Sequence, residues 1–230
     1  MRRLLLSFVL ASGLLNAAIA YVQLAGGQTG TSPLVYALPG GATAGNTIIV
    51  NVKTYLATVT SMTDSQSNTY TLAVSSPGSG ALATEIYYAK NITGGSNTIT
   101  IAFTGDWIVA ASHEYSGLDT TSPLDKTASA AGGSGAGDSG AQTTTVDDEL
   151  IFGSEASGAA LNGLAGAGFT QRANLDWGGG CISEEKIVSS TGSYSATFQD
   201  STSYWAAAMA TFKAGAPPPA SGRRRVVFIQ

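Results

Sequence analysis

One short segment contains most of the residue types that acid–base catalysis or metal binding would need. Residues 113–125, HEYSGLDTTSPLD, include His113, the single histidine of the chain, and three carboxylates, Glu114, Asp119 and Asp125. His113 and Glu114 are neighbours on a predicted strand, so their side chains point to opposite faces and cannot pair with each other. We expect Glu114 to accept hydrogen bonds from backbone N–H groups at a sheet corner, and Asp119 and Asp125 to stabilise turns.

The alternative for this segment is a calcium site. Glu114 with Asp119 or Asp125 and loop carbonyl groups would supply the oxygen ligands that Ca²⁺ prefers, although the spacing is not that of an EF-hand loop. Apart from this candidate, the sequence predicts no metal and no cofactor.

Motifs that would indicate catalysis are incomplete. Ser183 and Lys186 fit the SxxK pattern, but the KTG segment that accompanies it in β-lactamases is missing from the sequence. Residues 135–140 fit GxGxxG in a low-complexity stretch that opens no helix, and no GxSxG elbow occurs. The fifteen acidic residues leave room for a glycosidase pair, but no pattern singles one out. We therefore predict a protein that is not an enzyme, with a hydrolase as the enzymatic alternative.

Aromatic residues favour a binding function. Trp177 lies in NLDWGGG, where three glycines do not suit a buried strand, and Asn174 and Asp176 beside it can hydrogen-bond sugar hydroxyls. We predict a saccharide site at these three residues; the alternative is that Trp177 folds over the edge of the core. Trp107 and Trp205 hold equivalent places in two similar motifs, so we predict core positions for both. Four tyrosines are left without a predicted role: Tyr55, Tyr87, Tyr88 and Tyr204.

The elements that must position these residues are short strands. Runs rich in Val, Ile, Thr and Tyr are separated by clusters of Gly, Ser, Asn and Asp, and no helical spacing of apolar residues extends beyond the N-terminal leader. Ile48, Val50 and Val52 alternate with their neighbours, as in a strand with two distinct faces. This pattern predicts an all-β protein, an antiparallel β-sandwich of jelly-roll or immunoglobulin-like type. Residues 64–68 are the predicted turn of a hairpin that joins 58–63 to 69–74.

The two halves of the chain resemble each other. Residues 86–117 run as strand, Gly/Ser turn, strand, Trp and a long apolar strand, and residues 185–215 repeat that order; AGNTIIV and VDDELIF precede them in the same way. We predict two similar halves that close on one core, with 128–140 as a loose crossing between them. The alternative is that any two hairpins with alternating residues look alike.

The N-terminus has the pattern of a secretory signal. Basic residues precede a short apolar run, and Ala18-Ile19-Ala20 fits a cleavage site, so we predict a signal peptide at residues 1–20 and a β-sandwich domain at 21–216. The alternative is an uncleaved anchor helix. No later segment is apolar over the length of a membrane span. The protein is therefore expected to be secreted, extracellular or at the cell surface.

The C-terminal segment 217–230 is predicted to be a separate element. Three prolines form a stiff spacer, and an arginine cluster then precedes a β-prone apolar run. We expect this tail to mediate self-association or partner docking, the alternative being a frayed end. The residues in question are Arg223, Arg224, Arg225, Val226, Val227, Phe228 and Ile229.

The body between these ends is acidic. Residues 21–216 contain six basic side chains against fifteen acidic ones, which excludes nucleic acid as an expected partner because phosphates would be repelled. Cys181 is the single cysteine, so no internal disulfide can form, and we expect it to pack as a small hydrophobic residue.

AGNTIIV, DSQSNTYTL, EYSGLDTTSPLD and ATFKAG resemble motifs of a widespread group of uncharacterised secreted bacterial β-sandwich modules, some of them phage-associated. The resemblance covers most of residues 21–215 and implies a jelly-roll or immunoglobulin-like sandwich and extracellular placement. It implies no catalytic residues, and this chain has Ser67 where the group commonly has glycine. Some members lie beside carbohydrate-active or adhesive domains. We expect a binder of a polysaccharide or other cell-surface polymer, or an adhesin; the rival is a structural subunit of a virion, appendage or cell surface.

Overall fold

A computed structural model describes residues 18–158, 164–176, 180–199 and 204–216. These residues form antiparallel β-sheets and contain no helix. The strands are β1 (Ala20–Thr29), β2 (Leu34–Ala37), β3 (Thr47–Asp64), β4 (Thr71–Ser75), β5 (Leu82–Ala89), β6 (Thr98–Ser116), β7 (Leu124–Gly132), β8 (Gln142–Thr143), β9 (Glu149–Ser157), β10 (Thr170–Asp176), β11 (Gly180–Val188), β12 (Ser193–Tyr194) and β13 (Trp205–Lys213).

Each half of the chain builds one of the two main sheets. The first sheet has the order β1-β6-β3-β5-β4, with β2 added to β6, and the second has the order β10-β11-β9-β13-β7. The short strands β8 and β12 pair with each other. The predicted all-β, antiparallel sandwich is confirmed.

The two sheets share one topology. Read from β7, the second sheet has the order β7-β13-β9-β11-β10, which matches β1-β6-β3-β5-β4 strand by strand along the chain. In the sandwich β3 lies opposite β9, β1 opposite β10, and β4 opposite β7. These contacts relate the halves by an approximate two-fold axis that runs along the strands. The internal similarity predicted from the sequence therefore corresponds to a repeat of the fold.

The apolar interior consists of three clusters. The cluster between the sheets, which the two halves share, contains Ile49, Tyr115, Phe152 and Phe212. A second cluster behind the first sheet contains the alternating Ile48, Val50 and Val52, together with Ile101 and Phe103 from the part of β6 that pairs with the end of β3. A third, behind the second sheet, includes Ile151, Phe198 and Met209. The first eight residues of β3 and all of β9 are therefore buried on both faces.

Two local predictions are wrong. Residues 58–63 continue β3 and pair with β6, whereas β4 pairs with β5, so the expected hairpin does not form. The turn itself is present, because Asp64 accepts hydrogen bonds from the backbone N–H groups of Gln66 and Asn68, and Ser67 has a φ of 59°. Of the expected loose crossing, residues up to Gly132 belong to β7 and pair with β13.

Cys181 is buried between the sheets as a free thiol. Burial raises its pKa to about 12, and the side-chain amide of Asn51 lies 3.2 Å from Sγ. The side chain therefore packs as a small neutral group, in agreement with the expectation. In the described part of the chain, no helix is long and apolar enough to cross a membrane.

Candidate functional site

Glu114 is a structural clamp. Its side chain is wholly buried, and its carboxylate accepts hydrogen bonds from the backbone N–H of Thr43 at 2.9 Å, the amide of Asn46 at 2.6 Å and the amide of Gln23 at 2.5 Å. These donors hold the loop before β3 and the first strand against β6. His113 points the other way, toward the second sheet, as predicted from the alternation of side chains.

Asp119 and Asp125 lie in separate turns. Asp119 accepts hydrogen bonds from Thr121 and Ser122, and Asp125 accepts them from the backbone N–H and the hydroxyl of Thr145. Throughout the described ranges, no three His, Cys, Asp or Glu side chains lie together as metal ligands would. The three calcium candidates thus do not meet in one group, and each has protein donors around it.

His113 forms a serine–histidine pair with Ser183, the serine of the SxxK match. Nε2 lies 2.7 Å from the Ser183 hydroxyl, and Nδ1 lies 3.3 Å from the carbonyl of Ile49. Burial lowers the pKa of His113 to about 3, so the ring is neutral. Nδ1–H then donates to Ile49, and the serine hydroxyl donates to Nε2. Both side chains are wholly buried, so this hydrogen bond satisfies polar groups between the sheets.

Glu184 is a second buried clamp, on the outer face of the second sheet. Its carboxyl group accepts hydrogen bonds from the backbone N–H of Gly166 at 2.7 Å and of Thr197 at 3.1 Å. Burial raises its pKa to about 8, against the opposing effect of these two donors. Gly153 on β9 provides the room, since a Cβ there would lie 2.9 Å from Cγ of Glu184.

The raised pKa of Glu184 predicts a stability that depends on pH. The pKa of Glu184 is about 8 in the folded protein and 4.5 in the unfolded chain. Between pH 4.5 and about pH 8, the folded protein therefore holds a proton that the unfolded chain has released. Stability is therefore fully present below the unfolded pKa and is lost as the pH rises through about 8. Urea titrations at pH 7 and pH 9 should show a lower unfolding free energy at pH 9; both values lie above the ordinary pKa of His113, 6.5, so that ring contributes little to the difference.

Glu184→Gln should lessen that decline, because glutamine stays neutral throughout. Asp106→Asn, which changes an exposed carboxylate, is the matched control and should retain the decline of the parent protein. If parent and Glu184→Gln lose the same free energy between the two pH values, Glu184 is not the group responsible.

One end of the sandwich exposes large apolar side chains. Tyr55, Leu56, Trp107 and Tyr204 are 45%, 58%, 37% and 57% exposed, and they are called the aromatic end below. Tyr55 on β3 lies directly opposite Trp107 on β6. Exposed aromatic groups clustered at one end of a sandwich are typical of a contact surface rather than of a core.

The backbone at the aromatic end is strained. Leu56 has a φ of 44°, a conformation that bulky residues rarely adopt. Gly105 makes it possible, because a Cβ at that position would lie 2.0 Å from the carbonyl oxygen of Leu56. Strain of this kind persists only where the surrounding structure holds it, and it is frequent at binding sites.

A groove of about 380 Å³ opens at the aromatic end, a volume in the range of small-ligand pockets. Both halves contribute: β3 and the β4–β5 loop from the first, and the end of β9 and the approach to β13 from the second. The groove is lined by Tyr55, Ser79, Gly80, Ala81, Leu82, Gly158 and Tyr204.

The backbone around the groove is fixed by hydrogen bonds. Leu56 N–H donates to the carbonyl of Ala81 at 2.9 Å, and Gly158 N–H donates to that of Tyr204 at 2.9 Å. The hydroxyl of Ser79 donates to the carbonyl of Gly132 on β7 at 2.8 Å, so the β4–β5 loop is attached to the second sheet. Tyr55 and Tyr204 are therefore attached to a hydrogen-bonded backbone that spans both halves.

The prediction of core positions for the two tryptophans is wrong for Trp107. Its ring is more than a third exposed and lies over Gly30, where a Cβ would be 2.8 Å away. Trp205 is half-buried against the cluster behind the second sheet, and its indole N–H donates to the carbonyl of Ser134 at 3.1 Å. Trp107 packs on Gly30, just after the end of β1, and Trp205 packs on Gly132, the last residue of β7.

Trp177 of the predicted saccharide site lies outside the described residues. Asn174 is exposed on β10, and Asp176 is the last residue of that strand, so the site stays a prediction. All seven tail residues predicted to dock a partner also lie outside the described residues. Among the described residues, the groove joins Tyr55 and Tyr204, two tyrosines to which the sequence assigned no role. One feature of the sequence could have indicated them. Tyr55 is followed by Leu56 and Tyr204 by Trp205, and two adjacent large apolar residues on a strand cannot both face the same core.

Comparison of the chain with protein-family models, with curated proteins and with solved structures gave no match. The described residues thus form an antiparallel β-sandwich of two similar halves with an aromatic groove at one end.

Proposed function

We propose that the protein is a secreted, non-catalytic β-sandwich that binds a polysaccharide in the groove at the aromatic end. The observation that carries the proposal is the placement of Tyr55 and Tyr204, both exposed, along one groove. Aromatic rings stack on the C–H faces of sugars, and the tyrosine hydroxyls add polar contacts. A rigid sheet framework that presents binding groups at its end is a common arrangement for recognition.

The distribution of reactive groups supports binding over catalysis. Among the described residues that line the groove there is no carboxylate, histidine or thiol, whereas glycoside hydrolysis needs two carboxyl groups about 5–10 Å apart beside the substrate. The hydroxyl of Ser79, which lines the groove, already donates to Gly132. His113, Glu114 and Glu184 are buried in hydrogen bonds that hold the fold.

Extracellular placement and the tail are parts of the same proposal. The signal-like residues 1–20 and the resemblance to secreted modules support secretion. The tail, with its arginine cluster and apolar run, is proposed to dock on a partner or a second copy. Removal of residues 217–230 should change elution from a sizing column or partner capture if it does so.

The direct test is a glycan array combined with size-exclusion chromatography of the chain from Tyr21 onward. We expect binding to at least one polysaccharide, and a sandwich that elutes as a monomer once residues 217–230 are removed. An assembly subunit would instead bury the aromatic end between copies, oligomerise and bind no glycan. That outcome would replace the proposed function by the structural one.

A further inference from the structure

We propose that the groove selects neutral polysaccharides and rejects anionic ones such as uronates and sulfated glycans. This inference rests on the proposed function and adds the chemical class of the ligand. Its first basis is the part of the lining that the structure describes, seven residues of which none carries a charge. A ligand carboxylate or sulfate would lose water there without gaining a cationic partner, which is costly.

Charges outside the lining act in the same direction over a longer range. Asp106 precedes Trp107 on β6 and is exposed and acidic, with its side chain on the opposite face of the strand. Lys53 is the basic residue on the adjoining part of β3, but its side chain is buried, and Nζ donates to the carbonyl of Ser157 at 2.8 Å. The acidic excess of the domain extends this repulsion to longer range, because six basic residues stand against fifteen acidic ones.

Several backbone groups of the groove are already used within the protein, which favours recognition of a ligand by stacking on the tyrosine rings. Backbone groups of Ala81, Gly158 and Tyr204 are engaged in hydrogen bonds within the protein. Tyr55 and Tyr204 are the exposed aromatic residues among the described residues of the lining. Stacking on an uncharged sugar ring needs no ion pair, so the affinity should depend little on salt.

The test is affinity gel electrophoresis with polymers that share a backbone and differ in charge. Hydroxyethyl cellulose is compared with carboxymethyl cellulose, and methyl-esterified pectin with polygalacturonate. We expect at least one neutral polymer to retard the protein, with a Kd that changes less than about twofold between low and high salt. The anionic member of that pair should give no retardation.

Asp106→Lys provides a variant that alters charge without touching the lining. It should leave the Kd for the neutral polymer unchanged and allow retardation by its anionic partner at low salt, since a repulsive charge becomes an attractive one. Retardation of the parent protein by anionic polymers alone, or a Kd for the neutral polymer that weakens more than about tenfold with salt, overturns the inference. Binding to no polymer of either kind overturns the proposed function itself.

Discussion

Replacement of Tyr55 and Tyr204 together by alanine is expected to abolish polysaccharide binding while the sandwich stays folded. Stacking of a ring on an aromatic platform contributes about 1–3 kcal/mol, by analogy with base stacking on aromatic side chains. Each single substitution should therefore weaken binding about 5- to 150-fold, and the pair should remove it. Both side chains are largely exposed, so little stability should be lost. Affinity electrophoresis and thermal melts measure the two effects.

Conservative and remote variants separate stacking from other causes. Tyr55→Phe and Tyr204→Phe keep the rings and should retain most of the affinity. Val35→Ala and Leu72→Ala remove exposed apolar side chains that do not line the groove, and they should bind like the parent. Parent-like binding by the double alanine variant would exclude the groove as the binding site.

Glu114→Ala should give the largest loss of stability among the polar substitutions. Three buried or half-buried donors, on Thr43, Asn46 and Gln23, lose their acceptor at once. An unsatisfied buried donor costs about 1–3 kcal/mol, so the variant should melt several degrees below the parent. The melting temperature of Glu114→Gln should lie between those of the parent and Glu114→Ala. One acceptor oxygen remains in this variant, but its NH₂ group faces a donor.

Melting curves with and without added Ca²⁺ distinguish the two possible roles of Glu114, an acceptor of protein hydrogen bonds and a calcium ligand. The clamp predicts that added Ca²⁺ leaves the melting temperature of the parent unchanged. A rise that Glu114→Ala abolishes would identify Glu114 as a calcium ligand instead. An unchanged melting temperature in Glu114→Ala, with or without Ca²⁺, would show that the carboxylate does not hold the fold.

The fold class could be predicted because alternation and turn residues are local signals. Ile48, Val50 and Val52 do share one face, and the similarity of the halves does correspond to two sheets of one topology. The sequence could not predict which face of its sheet each matched residue of the repeat would occupy. AGNTIIV and VDDELIF, aligned letter by letter, match Ile48 with Leu150, but Ile48 lies behind the first sheet and Leu150 between the sheets. An offset of one residue in the alignment moves every side chain of a strand to the other face of its sheet. The sequence does not reveal this offset, because both faces of these strands carry apolar residues.

The site escaped prediction because it depends on non-local pairing. The length of β3 follows from its pairing with β6, and the bend at Leu56 needs Gly105 across the pair. Tyr55 and Tyr204 belong to opposite halves, and no spacing in the sequence brings them together. Glu114, in contrast, could be predicted as a clamp because an acidic residue on an apolar strand must find donors.

In the proposed complex, Tyr55 and Tyr204 contact the ligand directly. Hydroxyl-radical footprinting read by mass spectrometry tests this contact, with the parent protein free and saturated with a polymer that retards it. We predict that oxidation of both tyrosines falls severalfold on binding, while oxidation of Leu72 and Val35 is unchanged. Unchanged oxidation of Tyr55 and Tyr204 in the bound protein would exclude direct contact and place the ligand elsewhere on the sandwich.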